Sequence, residues 1–208
     1  MEPFESSWRA ITKVWASKWN DRAYYARQAR GLPHDRVHMA VLIQRVVEAD
    51  YAFVLHTRNP IAPQRDEMVG ELVLGLGETL VGNYPGRAFG FAVGTENGQS
   101  RVLSYPSKSA VLRASGLIFR SDSNAEDLEG FSGAGLHDSV TSSNMRETIA
   151  DYGDDPLIFD RAFRAKTLDQ LRRLSVAIER VRGVPQDIEG AMVGGIITLL
   201  QARPQVGL

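Results

Sequence analysis

The sequence predicts an α+β fold built mostly of antiparallel sheets with packed helices. Three observations carry this: short apolar or alternating runs follow one another between residues 37 and 120, a long amphipathic helix lies near the C-terminus, and a last pair of apolar runs meets at Gly194-Gly195. With 208 residues and 43% hydrophobic content, the chain can bury a real core as one large domain or two small lobes.

In chain order, residues 7–30 read as one helix, because Trp8, Ile11, Trp15 and Trp19 recur at helical intervals and Gly31 with Pro33 supplies a stop. The tryptophan stripe is expected in the core. Val37, Met39, Val41 and Ile43 alternate with His38, Ala40, Leu42 and Gln44 in a strand running to about Val47. Residues 51–57 form a second strand, expected antiparallel to the first, and end at the turn residues Arg58-Asn59-Pro60. A third strand over 68–76 runs into Gly75-Leu76-Gly77-Glu78, where glycine permits close backbone approach. Residues 88–93, 101–104 and 117–120 read as further strands. Residues 161–182 form an amphipathic helix with Leu171, Leu174, Ile178 and Val181 on one face. There is no internal repeat.

Composition removes several classes of function. Without cysteine, disulfides, zinc-thiolate sites and thiol catalysis are excluded. A net charge of -1 argues against a general nucleic-acid surface. The longest apolar run, 192–200, is broken by Gly194, Gly195 and Thr198 and is too short to span a bilayer; Met1-Glu2-Pro3-Phe4-Glu5 does not resemble a secretory leader. Neither nucleic acid nor membrane is expected as a partner. The 24 basic residues include only four lysines, Lys13, Lys18, Lys108 and Lys166, and of these Lys108 is placed in a loop.

Two stretches carry chemistry. The strand ending at Arg120 feeds Ser121-Asp122-Ser123-Asn124-Ala125-Glu126-Asp127, then Gly130, Gly133 and Gly135, which by itself is the composition of a turn region. The final hairpin holds Asp187, Glu189, Gln201 and Arg203. A two-residue loop at Gly194-Gly195 would set Glu189 opposite Leu200, on the other face from Gln201 and Arg203. A three-residue loop with a bulge would bring all four to one face, where they form either a solvated cross-strand ion pair or a converging set of oxygens and a cation.

Three blocks resemble the ATP-grasp domain of the phosphoenolpyruvate synthase and pyruvate phosphate dikinase group: Arg120-Ser121-Asp122-Ser123-Asn124-Ala125-Glu126-Asp127-Leu128 with Gly133-Ala134-Gly135; Gly75-Leu76-Gly77-Glu78; and Gln186-Asp187-Ile188-Glu189 with Leu200-Gln201-Ala202-Arg203-Pro204. Val14-Trp15-Ala16-Ser17-Lys18-Trp19-Asn20, residues 51–57 and Tyr84-Pro85-Gly86-Arg87-Ala88 narrow the resemblance to the C-terminal nucleotide-binding region of the α-glucan, water dikinases. It covers nearly the whole chain. The fold it implies is ATP-grasp-like, as an incomplete or rearranged two-lobe nucleotide-binding domain over 1–208: an adenine-side lobe over about 1–104, a phosphate-loop segment over 105–150, and a helix with a metal-binding hairpin over 151–208.

The resemblance implies roles residue by residue. Arg120 matches an arginine on the ATP phosphates, Gly135 and Ser139 match positions lining the nucleotide, and Gln44 matches the hinge beside the adenine. Glu189 and Gln201 match oxygen donors to Mg2+, and Arg203 a second phosphate-binding cation. The arginine motif follows the Gly-Leu-Gly-Glu block here, as in the glucan dikinases, whereas in phosphoenolpyruvate synthase it precedes it. The group's N-terminal phosphate-binding lysine has no upstream match, and Lys108 is either its replacement or an ordinary exposed loop lysine. His34, His38, His56 and His137 lie in no phosphohistidine-like segment.

The implied function is that of the ATP-binding catalytic region of a kinase of the dikinase type: ATP, α-glucan and water give AMP, phosphoglucan and phosphate, by way of a phosphohistidine on a domain absent here. Starch is then the acceptor and the plastid stroma or starch granule the location, the cytoplasm otherwise. The alternatives are a dikinase-type phosphotransferase for phosphoglucan, pyruvate or a small hydroxyl compound, and a degenerate nucleotide-binding module without turnover.

Overall fold

The computed structural model describes residues 3–81, 84–125, 127–128, 131–132 and 135–206. The elements begin with α1 (Pro3–Ala16), α2 (Asp21–Ala29), β1 (Met39–Arg45), β2 (Tyr51–His56), β3 (Glu67–Leu74) and α3 (Glu78–Val81). There follow β4 (Phe89–Gly94), β5 (Ser100–Ser104), β6 (Ala110–Arg113), β7 (Leu117–Ser123), β8 (Asp127–Leu128), β9 (Phe131–Ser132), β10 (Val140–Thr141) and β11 (Arg146–Ile149). The chain closes with α4 (Pro156–Phe159), α5 (Arg161–Arg182), β12 (Gln186–Val193) and β13 (Ile196–Pro204). All strand pairs among the described residues are antiparallel, as an α+β fold of this kind requires.

By compactness the chain forms two units, one of residues 1–47 and 114–145, the other of 48–113 and 146–208. The three-part division expected from sequence follows chemical role, whereas compactness joins segments distant in the chain.

In the first unit β1, β7 and β10 make a three-stranded sheet in the order β1-β7-β10. Helix α1 covers one face, setting Ala10, Ile11 and Val14 against Phe119, Met39, Val41 and Val140. The expected tryptophan core is therefore corrected: Trp8, Trp15 and Trp19 are 52%, 43% and 58% exposed. The small residues Ala10 and Val14 allow the helix to lie close on Phe119, and Trp8 and Trp15 meet each other edge to face at 5.7 Å instead. The single helix expected over 7–30 is also divided. A 3-10 turn over Ser17–Trp19 and an extended Asn20 (ψ 147°) separate α1 from α2. Ser17 Oγ donates to the Val14 carbonyl at 2.7 Å, Lys18 Nζ to the Val37 carbonyl at 2.6 Å, and Asn20 Nδ2 to Asp138 at 3.1 Å, so this corner is tied on three sides.

In the second unit six strands run in the order β13-β12-β2-β3-β4-β5. Helix α5 covers one face, where Leu168 and Leu171 join Phe53, Leu55, Met68, Leu72, Phe89, Phe91, Val93 and Ile188 in the principal core. Its ends fall where expected, because Asp160 accepts from the Ala162 and Phe163 amides at 2.8 and 3.0 Å and Gly183 leaves the helix at φ 74°. Leu174 and Ile178 pack on the core as expected, but Val181, in the last turn, is exposed. Short α4 is capped by Asp155, which accepts from the Leu157 amide at 2.9 Å and from the buried Tyr51 hydroxyl at 2.7 Å. Burial first, and then the Asp155 hydrogen bond and charge, push the Tyr51 phenol upward, so it stays a donor.

The expected pairing of β1 with β2 is overturned. β1 pairs with β7, and β2 with β3 and β12. Residues 46–50, Val-Val-Glu-Ala-Asp, contain no glycine, proline or asparagine to close a hairpin. They run on as a connector whose Asp50 carbonyl accepts from the Gly75 amide at 3.0 Å.

A pH dependence follows from β3. Burial alone would raise the Glu67 carboxyl, but hydrogen bonds from Asn59 Nδ2 and Arg101 Nη2, both 2.7 Å, and the charges of Arg101 and Arg65 outweigh it and hold it below its ordinary value of 4.5. Because the folded value is the lower, this stabilisation is complete above 4.5 and is lost as pH falls through the folded value. Thermal melts of Glu67→Gln should show a shallower loss of Tm in acid than the wild type; equal slopes would contradict the linkage.

Candidate functional site

The C-terminal hairpin turns through Gly194 and Gly195 at φ 56° and 79°, a two-residue loop that pairs Val193 with Ile196. On turn parity alone this would separate the acids from Gln201 and Arg203. However, the register shifts between Glu189 and Gly190: Gly190 pairs with Leu199 and Glu189 with Gln201, so Leu200 is the extra residue of a bulge. Both features considered separately in the sequence are thus present, with the bulge in mid-hairpin. Asp187 stands opposite Arg203 and Glu189 opposite Gln201, all four on one face.

That face is turned from α5, because the alternate residues Ile188 and Met192 enter the core. Gly190, between them, has no room for a side chain: a Cβ there would lie 2.2 Å from the Phe53 ring and 2.8 Å from the Thr198 carbonyl oxygen. β2 extends the polar rows, with His56 opposite Asp187 and Val54 opposite Glu189. His56 Nδ1 lies 2.5 Å from Asp187 Oδ1, and Arg203 Nε lies 3.7 Å from Asp187 Oδ2. These side chains are partly buried.

Lys108, expected in a loop, is in one, but it is buried at 7% exposure and donates from Nζ to the Tyr84 carbonyl at 2.6 Å. Its own carbonyl accepts from the Tyr152 hydroxyl at 3.0 Å. The loop is fixed by Gly86 at φ 94°, where a Cβ would meet the Ser107 carbonyl oxygen at 2.4 Å and Lys108 Cα at 2.7 Å. Gly75, in the Gly-Leu-Gly-Glu block, serves a comparable contact: at φ 73° its missing Cβ makes room for the Leu112 carbonyl oxygen and Val111.

The remaining expected positions belong to the other unit. Arg120 on β7 faces Leu42 on β1, and Gln44 faces Ile118, so Arg120 and Gln44 share the sheet face turned from α1. Ser139 is exposed just before β10, and Gly135 has φ 75° with open space around it, so its left-handed backbone is what favours glycine. His137 is buried, and its imidazole is pushed down by desolvation first and by the charges of Arg27 and Arg22, against a hydrogen bond with the Ser17 backbone and the charge of Asp138. Glu126 and Gly133-Ala134 lie outside the described residues.

The donor chemistry suits magnesium. Glu189 and Gln201 present a carboxylate and an amide oxygen side by side, and a hard cation of this kind takes one or two protein oxygens and completes its shell with phosphate and water. Among the described residues no group of three or more His, Asp, Glu or Cys side chains is placed to hold a metal. Nor is any helix among them long and apolar enough to cross a membrane. A cleft of about 450 Å³ beside the end of α5 is lined by Arg58, Asp66, Glu179 and Arg180. Arg58 is already paired there with Asp66 and Glu179, so the volume lies among closed ion pairs.

His56 is the residue that sequence reading left unassigned. Its partner is 131 positions away, and only the strand order β12-β2 brings the two together.

Comparison with known proteins defines the class first. Residues 2–87 match the pyruvate phosphate dikinase AMP/ATP-binding domain. It is 53% identical over 202 residues to α-glucan water dikinase 2 of Arabidopsis thaliana, covering 96% of this chain and 16% of that protein. It is 51% identical over 205 residues to the chloroplastic α-glucan water dikinase of Solanum tuberosum, covering 98% and 14%. Phosphoenolpyruvate synthase of Aeropyrum pernix is further off, at 29% over 209 residues, covering 94% and 24%. Over nearly its whole length the chain is thus similar to one stretch of the α-glucan water dikinases, and it spans 16% and 14% of the length of those two relatives.

Proposed function

We propose that the chain is the ATP-binding catalytic part of an α-glucan, water dikinase, in which ATP, glucan and water give AMP, phosphoglucan and phosphate. The observation that carries this is the bulged hairpin: in a chain of this family, it sets Glu189 beside Gln201 and Asp187 beside Arg203, oxygens for a hard cation next to a guanidinium for phosphate. Glu189 and Gln201 would hold Mg2+. When bound, the ion neutralises phosphate charge. Arg203 and Arg120 bind phosphate oxygens through fixed forks of donors, Gln44 hydrogen-bonds the adenine edge, and Gly135 and Ser139 line the nucleotide. Lys108 would join the phosphate-binding cations by exchanging the Tyr84 carbonyl for a phosphate oxygen.

The phosphohistidine that relays phosphate to glucan is carried outside these 208 residues. The relatives named chloroplastic support the plastid as the place of action, and starch is taken as the glucan. The chain by itself should bind Mg-ATP and leave starch unphosphorylated. Incubation with ATP and starch, followed by assay of glucose phosphate, tests this. Product formed without an added histidine domain would overturn the relay.

A further inference from the structure

We infer that His56 is a positioning residue of the hairpin face, holding the Asp187 carboxylate, and through it the Arg203 guanidinium, in the geometry that meets nucleotide phosphate; this rests on the assignment of that face to Mg-ATP. Three strands build the row Arg203, Asp187, His56 by direct cross-strand pairing. A carboxylate only accepts, so the 2.5 Å contact places the imidazole proton on Nδ1, donated to Asp187 Oδ1. The other oxygen, Oδ2, faces Arg203 Nε at 3.7 Å, an ion-pair distance longer than a hydrogen bond.

The division of labour follows from these lengths. The short bond is to the imidazole, so His56 sets the rotation of the carboxylate. Arg203 is attracted along the remaining edge through Nε, the nitrogen nearest its stem, which orients the outer fork of the guanidinium. With the imidazole removed, the Asp187 carboxylate would turn wholly onto Arg203, closing the ion pair and drawing that cation away from phosphate. The Asp187 side chain is only 16% exposed, so water replaces the lost donor poorly. A second donor that shares the carboxylate therefore keeps Arg203 at its working distance. Remote orientation of this type around a bound group typically affects affinity by about tenfold or more.

The test is calorimetric titration of the full chain with ATP and with AMP in magnesium, using wild type, Glu189→Gln, His56→Phe, His56→Asn, Asp187→Asn and the His56→Phe/Asp187→Asn double variant. His56→Phe should weaken ATP by about tenfold and leave AMP unchanged, because the effect passes through the outer phosphates. His56→Asn, whose amide nitrogen stands near the place of Nδ1, should restore most of the loss. In the Asp187→Asn background His56→Phe should add nothing. Equal weakening of ATP and AMP, an unchanged ATP affinity, or a full effect without Asp187 would each overturn the inference. A wild-type imidazole nitrogen spectrum with the proton on Nε2 would do the same without any variant. If wild type fails to bind Mg-ATP, or Glu189→Gln binds it equally well, the assignment of the face fails and this inference with it. If Glu189→Gln weakens binding and His56→Phe does not, the inference alone fails.

Discussion

Glu189→Gln should remove most of the magnesium dependence of ATP binding. The substitution keeps size but replaces one accepting carboxylate oxygen with a donating amide nitrogen and removes the charge that stands opposite Gln201. A charge-assisted contact is worth about 1.5–3 kcal/mol, so affinity for Mg-ATP should fall by roughly ten- to a hundredfold. Affinity for ATP without magnesium should hold or rise, because a carboxylate repels phosphate when no cation lies between them. The thermal melt serves as the control, since Glu189 lies on the face turned from the α5 core. Titrations of both proteins with ATP, in magnesium and in chelator, measure the effect. An undiminished magnesium dependence in the variant would remove Glu189 from the site.

Gly75→Ala should cost the fold about 2–5 kcal/mol, as the sum of a left-handed backbone of about 1–2 kcal/mol and overpacking of about 1–3 kcal/mol. The overpacking is unavoidable because the nearest atom, 2.4 Å from the added Cβ, is the Leu112 carbonyl oxygen, main chain of a paired strand. For a chain of this size the Tm should fall by on the order of 10 °C. Gly31→Ala is the comparison: its φ of 63° is similar but nothing lies within 4 Å, so only the backbone cost applies. Equal losses in the two variants would mean that Leu112 yields. An unchanged Tm with lost nucleotide affinity would instead assign the Gly-Leu-Gly-Glu glycine to the ligand.

Residues whose neighbours are close in sequence were the ones that could be read in advance. Helix α5 carries its own signals, an aspartate before it and a glycine after it, and both of its ends were legible. The β12-β13 hairpin was legible for the same reason. Long-range choices were hidden. The partner of β1 is β7, some eighty residues on, and no local pattern distinguishes that pairing from one with β2. Tryptophan at helical spacing suggested burial, yet the face with small side chains won, because close approach to Phe119 requires it. Of the candidate site, Glu189, Gln201 and Arg203 were named by motif, while parity was open between two loops and the mid-hairpin bulge that puts them on one face was not legible. His56 was not, since its meaning depends on strand order.

The bulge at Leu200 makes the alignment of the hairpin face a matter of counting. Deleting that one residue would restore an unbroken ladder from Gly194-Gly195 outward, with every letter of the motif intact. Glu189 would still meet Gln201 and Asp187 would still meet Arg203, because the ladder closes over the gap with the same partners. The face is lost in the other case, when Leu200 is kept and the bulge is ironed out: Glu189 then pairs with Leu200, and the two acids lie on the opposite side from Gln201 and Arg203. A regular hairpin one residue shorter therefore keeps the chemistry together, whereas a regular hairpin of the same length divides it between two surfaces.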